Sequence, residues 1–220
     1  ATYTVTVDGQ VVATVEEGAT YTMGDATYGY TDGTDMFKAG TEITVNSDVV
    51  LTSVNEFSVA AAQGAGIRYD GTAGIRFQAR VSAPEEALNS SAVKTGMIIT
   101  ANDIYEAFGS ELNLDIIGDP DDDGKDYAAL NVVNNGWYNN QVGTYCGSIV
   151  DIVESNWIRN FIAVAYATIT YTDGTSVTVY SNMTGVRSIK GVAAAVQAAG
   201  YPGIAEAYHA TIDAYAAATE

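Results

Sequence analysis

Cysteine, histidine, proline and positive charge are all scarce in this sequence of 220 residues. The single cysteine, Cys146, excludes an internal disulfide. The single histidine, His209, lies in an alanine-rich C-terminal segment. With one thiol and one imidazole, no Ser-His-Asp, Cys-His or histidine-rich metal constellation can be assembled. Nine Lys and Arg stand against 27 Asp and Glu, a formal charge of −18. Nucleic acid needs a basic surface that releases phosphate counterions, so that partner is excluded, and anionic membranes are disfavoured. No run approaches the ~18–20 apolar residues that span a bilayer, so membrane insertion is not expected. GAGIRY lacks the third glycine of a dinucleotide loop, and no Gly-Lys-Ser/Thr phosphate loop is present. The opening ATYTVTVDG already reads as strand, so no leader peptide is expected within these residues.

What is present is an ordinary apolar content, 47 %, in a chain long enough to bury a sizeable core. Thr, Tyr, Gly and Asn are plentiful and Lys is rare, a composition that suits a secreted bacterial module. Residues 1–56 read as short strands broken by turns. TYTVTV alternates, Asp8-Gly9 is a two-residue hairpin signal, and VVATV resumes the alternation. TYTM, a loop around Asp32-Gly33, EITV and VVLTSV follow, with no helix expected. YTVTVDGQVVATVEEGATY…GYTDGTDMFKAGTEITVNSDVVLTSV resembles the Listeria–Bacteroides repeat, although GYTDGTDMF stands where that repeat usually carries a Gly-Trp pair. The resemblance implies a small β-grasp-like module of a bacterial surface protein.

The remainder, 57–220, opens on strands and closes on helices. AGIRFQARV places Ile75, Phe77, Ala79 and Val81 on one face and Arg76, Gln78 and Arg80 on the other. ANDIYEAFG reads as a short helix, with Thr100 and Asp103 in capping-box spacing and Gly109 at its end. In NFIAVAYATITYTDGTSVTVYS, a two-residue Asp173-Gly174 turn would pair Thr172 with Thr175. That register puts Val177 and Val179 on one face with Ile162, Val164 and Tyr166. Both faces of the first strand are apolar, which places it centrally, and the Ala163–Ala165–Ala167 stripe offers a helix a close seat. Ser188 is positioned to cap IKGVAAAVQAA, which Gly200 and Pro202 end. The expected fold is therefore mainly β: a β-grasp-like module at 1–56, then a β-sandwich-like domain at 57–187, with helices at 188–219 packing back.

Three groups of residues carry candidate chemistry. Asp119, Asp121, Asp123 and Gly124 follow the D-x-D-x-D-G spacing of a Ca²⁺ loop. The twelfth position is Leu130 where an EF-hand has a bidentate Glu, so a solvated acidic hairpin tip fits better. Trp137, Tyr138 and Tyr145, among Asn and Gln, could stack on sugar rings while amides reach hydroxyls; alternatively Trp137 and Tyr145 anchor a long loop on the sheet. Arg76 and Arg80 share one strand face. They are either a ladder paired with acidic neighbours or a binding stripe for an acidic sugar or carboxylate. A glycosidase needs only two carboxylates, but nothing singles out a pair.

GAGIRYDGTAGIRFQARV…KTGMIITANDI…FIAVAYATITYTDGTSVTVYSN…RSIKGVAAAVQ is similar to a GIR/GIRF…RSI module that recurs in large secreted or surface proteins of gut clostridia and ruminococci. Arg76, Arg187, Ser188 and Ile189 match it, while Val164 stands where that module has Arg. The resemblance implies an extracellular or cell-surface setting among neighbouring modules and makes Arg68, Arg76 and Arg187 framework residues; it carries no catalytic assignment. The expected function is a non-catalytic accessory module for adhesion, protein interaction or spacing. The alternative is carbohydrate binding, and the possible ligands are a protein, a polysaccharide or Ca²⁺.

Overall fold

The computed structural model describes residues 1–117 and 128–219. Asp119, Asp121 and Asp123, the Ca²⁺-loop candidates, lie outside the described residues. The first part of the chain forms strands β1 (Thr2–Val7), β2 (Gln10–Glu16), β3 (Ala19–Thr22), β4 (Tyr30–Thr31), β5 (Met36–Phe37), β6 (Glu42–Val45) and β7 (Val49–Ser53). They build a sheet in the order β2-β1-β7-β4-β5, with β1 and β7 parallel, and a separate β3-β6 pair. Asp8 and Gly9 turn the first hairpin with φ of 49° and 79°, both left-handed, which a two-residue loop demands and Asp-Gly tolerates. The Asp8 carboxylate then accepts from the Ser53 N–H (2.9 Å) and hydroxyl (2.6 Å), tying that turn to the end of β7. Val5, Met23, Tyr30, Val45 and Leu51 form a small core under the sheet.

The larger part contains β8 (Ser58–Ala61), β9 (Gly66–Arg68), β10 (Gly74–Ser82), α1 (Glu85–Leu88), β11 (Val93–Ala101), α2 (Asn102–Ala107), α3 (Leu114–Ile117), β12 (Ala129–Val133), β13 (Thr144–Ile149), β14 (Phe161–Thr170), β15 (Ser176–Met183), α4 (Ile189–Ala198) and α5 (His209–Ala217). One sheet runs β13-β10-β8, with β9 pairing the start of β10. The other runs β12-β11-β14-β15. Ile75, Phe77, Ala79 and Val81 of β10 and Met97, Ile99, Ala163, Ala165, Ala167 and Ile169 of the second sheet share one core. The protein is thus mainly β, with two sheets face to face. Gly147 shows how closely they approach: a Cβ there would sit 2.8 Å from the Met97 Cβ.

The outer face of the second sheet is covered as well. Ile98, Val164 and Tyr166 bury against Leu112, with Ile104, Leu114, Ile116 and Ile117 packed around them. This satisfies the two apolar faces of β14. Ile189, Ala193, Ile212 and Tyr215 of α4 and α5 join the main core, and Ser188 caps α4 by accepting from the Gly191 N–H at 3.0 Å. The two parts of the chain also interlock. Met36 and Val54 belong to the larger core, Tyr171 donates to the Tyr28 carbonyl (2.9 Å), and Lys38 pairs with Asp173 at 3.1 Å.

Three local expectations are corrected. The β14–β15 hairpin pairs Thr170 with Ser176 and Ile169 with Val177, one residue away from the Thr172–Thr175 register. Gly174, at φ 83°, closes a three-residue loop, and Tyr171 N–H bonds the Thr175 carbonyl at 2.8 Å. Since side chains alternate with period two, this slip moves Val177 and Val179 to the Ala-stripe face, where both pack on the main core. That stripe meets the opposite sheet, not a helix: Tyr145 of β13 reaches across to the Tyr166 carbonyl at 2.9 Å. Thr100 does not cap α2. It is still in β11, and its hydroxyl donates to the Ala128 carbonyl (2.9 Å), leaving Ala101 at the N-cap without a side-chain bond.

Candidate functional site: the arginine face

The two Gly-Ile-Arg copies are each other's partners. Antiparallel pairing of β9 with β10 sets Gly66 opposite Arg76, Ile67 opposite Ile75, and Arg68 opposite Gly74. Each arginine therefore faces a glycine, and both arginines point outward while both isoleucines turn inward. The glycines leave lateral room: a Cβ on Gly66 would lie 3.8 Å from a terminal nitrogen of Arg76. Arg68 folds back over its own hairpin turn, where a Cβ on Gly71 would be 2.7 Å from its terminal nitrogen, and its Nε is 3.5 Å from Asp70. The third copy, Gly185-Val186-Arg187, is used differently. Arg187 makes both backbone bonds of a bridge to Phe161, at 2.7 and 2.9 Å, and its guanidinium donates to the Val186 carbonyl. Arg187 is framework.

Further along β10, Gln78 and Arg80 continue the outward face. The neighbours across the strands are Ser148 and Gly66 for Arg76, and Thr144 and Ala60 for Arg80. None is acidic, so the expected ladder of ion pairs does not form; among the described residues neither Arg76 nor Arg80 has an ion-pair partner. Instead the Arg76 guanidinium lies 5.1 Å from the centre of the Tyr138 ring, which brings together two of the residues singled out in the sequence. Arg80 lines a separate shallow cleft of about 260 Å³ with Glu56, Glu85 and Val142. Cys146, opposite Gln78, sits on the same face; burial pushes its thiol up, against a smaller pull from Arg76.

Tyr145 is corrected outright. It belongs to β13 opposite Ala79, is 0 % exposed, and cannot stack on a sugar. Desolvation drives its phenol far above the ordinary 10. Trp137 is half-buried and meets Tyr145 edge-on, with ring centres 6.5 Å apart, as an anchor of the loop would. Only Tyr138 of the three aromatics stands at the arginine face.

The sequence did not single out the cleft at the near end of this face. About 380 Å³ in volume, it is bounded by Arg68, Asp70, Arg76 and Ser148 with Tyr69, Ile149 and Val150 as apolar wall. Tyr69 in turn packs on the half-exposed Tyr208, ring centres 5.2 Å apart. The signal was the repeat itself: two Gly-Ile-Arg copies flanking a turn must face each other if the turn closes. A second polar cleft, beside α2, holds Asp103 and Arg159, but those two satisfy each other through bonds of 3.3 and 3.0 Å, and the Arg159 bond holds the Asp103 carboxyl below its ordinary value.

Among the described residues no three His, Cys, Asp or Glu come together as a metal site, and no helix is long and apolar enough to cross a membrane. Searches of family models, curated proteins and solved structures found no match to this chain.

Proposed function

We propose that this chain is a non-catalytic accessory module of an extracellular or cell-surface multimodular bacterial protein, and that it serves adhesion through the outward face of the β13-β10-β8 sheet. The observation that carries the reading is the placement of charge. The chain has five arginines (Arg68, Arg76, Arg80, Arg159 and Arg187), and in a protein of net charge −18 three of them share one exposed sheet face. An arginine without a carboxylate partner keeps its donor fork available for a ligand. The resemblances to surface-protein modules point the same way. Burial raises the Cys146 thiol above its ordinary value, which disfavours the thiolate, and His209 stacks on Tyr201 with Nε2 3.1 Å from the Ile204 carbonyl. A carbohydrate ligand is favoured by one specific feature, Tyr138 lying against Arg76 at the open face.

The test is retention on a panel of immobilised polysaccharides and extracellular glycoproteins, with product release followed in parallel. Retention without turnover is expected, and the double substitution Arg76→Ala/Arg80→Ala should abolish it while the thermal melt stays in place. Turnover that a single Asp or Glu substitution removes would contradict the reading, as would undiminished retention of the double variant.

A further inference from the structure

Resting on the binding role just proposed, we infer that the cleft between the paired Gly-Ile-Arg strands and the end of β13 recognises the carboxylate of a uronic-acid residue in a polysaccharide of low charge density. Arg68 and Arg76 are diagonal neighbours on one face of an antiparallel pair, a spacing of roughly 7–8 Å between such positions. Like charges that close repel one another, and an anion between them adds two attractions that outweigh the repulsion. Asp70 offsets only part of it, since it meets Arg68 at 3.5 Å and both side chains are about half exposed. The Arg76 guanidinium lies 5.1 Å from the centre of the Tyr138 ring, lines the cleft and has no carboxylate partner among the described residues. Its donor fork is thus uncommitted to any carboxylate, and such a fork can grip one with two parallel bonds.

The rest of the cleft matches a sugar better than a bare inorganic anion. At about 380 Å³ it falls in the size range of small-ligand sites. Ile67, Tyr69, Ile149 and Val150 give it an apolar wall for the C–H face of a pyranose ring, and the Ser148 hydroxyl lies beside Arg76 across the strand. The net charge of −18 sets the charge density of the ligand. A densely sulfated or fully acidic polymer would be repelled by the surrounding surface at every unit, whereas an occasional uronate presents one carboxylate to the Arg68–Arg76 pair and neutral sugars to the rest.

The experiment compares affinity electrophoresis of the whole chain in xylan bearing glucuronic-acid side groups with the same polymer after chemical reduction of its carboxyl groups to alcohols. Binding to the first is expected, and carboxyl reduction should weaken it about 10- to 100-fold, the range for a lost charge-assisted contact. Arg76→Ala should weaken binding to the unreduced polymer by a similar factor. Arg76→Lys, which keeps the charge and loses the fork, should fall between, and this variant keeps the test readable should the alanine form fold poorly. Lys94→Ala, which removes one charge from an exposed position on β11 of the other sheet, should bind as the parent does. Equal binding to the two polymers, no binding to the uronate polymer, or tighter binding to dextran sulfate overturns the inference. Retention on a neutral glycan or an acidic protein that still needs Arg76 and Arg80 would overturn it while leaving the adhesive role standing.

Discussion

Tyr145→Ala is expected to lower the unfolding free energy by about 3–5 kcal/mol, the range for removing a fully buried aromatic ring. In a chain of this size that is a fall in melting temperature on the order of 6–20 °C. The ring is 0 % exposed, lies between the two sheets, and ends in a 2.9 Å bond to the Tyr166 carbonyl. Its cross-strand partner is the small Ala79, and Trp137 touches it only edge-on at 6.5 Å between ring centres, so partial relaxation should leave most of the cavity open. Tyr145→Phe keeps the ring and loses only the hydroxyl bond, so its cost should be about 1–2 kcal/mol. Ligand retention per folded molecule should be unchanged in both. A loss below about 1 kcal/mol for the alanine form, read by thermal or urea unfolding, would show that the ring does not fill the core.

Raising the pH beyond 10 is expected to unfold the protein steeply. Desolvation by burial raises the phenols of Tyr145, Tyr166, Tyr171 and Tyr215 above their ordinary 10. The folded state therefore holds these protons after the unfolded chain has released them. Their contribution is fully present below pH 10 and is lost as the pH rises from 10 toward the folded values. For the most deeply buried of them, Tyr145, one retained proton steepens the fall by about 1.4 kcal/mol per pH unit, roughly 3 kcal/mol between pH 10 and 12; the other three act in the same direction. In Tyr145→Phe the alkaline flank should be shallower by one proton. Urea midpoints measured from pH 8 to 12 decide it: equal slopes for parent and variant would mean that the Tyr145 phenol ionises within the fold.

Much of the fold was legible because it is written in local periodicity. The alternation in GIRFQARV fixed which face of β10 is buried, and the two apolar faces of FIAVAYATI placed β14 between two layers. Asp8-Gly9 and Ser188 acted as the turn and cap their residue types favour. The failures are non-local or degenerate. Asp-Gly serves a two-residue turn and a three-residue loop closed by a left-handed glycine equally well, and the difference is one residue of register. Thr100 had a capping spacing but also a carbonyl within reach at Ala128, and β11 continued past it. Tyr145 stood in a polar, aromatic-rich stretch that looked like an exposed loop; only the pairing of β13 with β10 shows that it points inward. The expected acidic partners of Arg76 and Arg80 failed for the same reason, since cross-strand neighbours depend on which strands pair. The candidate site was half visible: Arg76, Arg80 and Tyr138 were read from the sequence, while Arg68, Tyr69 and Ser148 joined them only through the β9–β10–β13 register.

The central claim is that pairing of the two Gly-Ile-Arg copies makes Arg68 and Arg76 one anion-binding unit. A double-mutant cycle on binding to the uronate polymer tests it most directly, using Arg68→Ala, Arg76→Ala and the double variant, each checked for an unshifted melt. If both guanidinium groups hold one carboxylate, either single substitution removes most of the binding, and the double variant loses clearly less than the sum of the two. Strictly additive losses, or a loss confined to one of the two arginines, would contradict the claim.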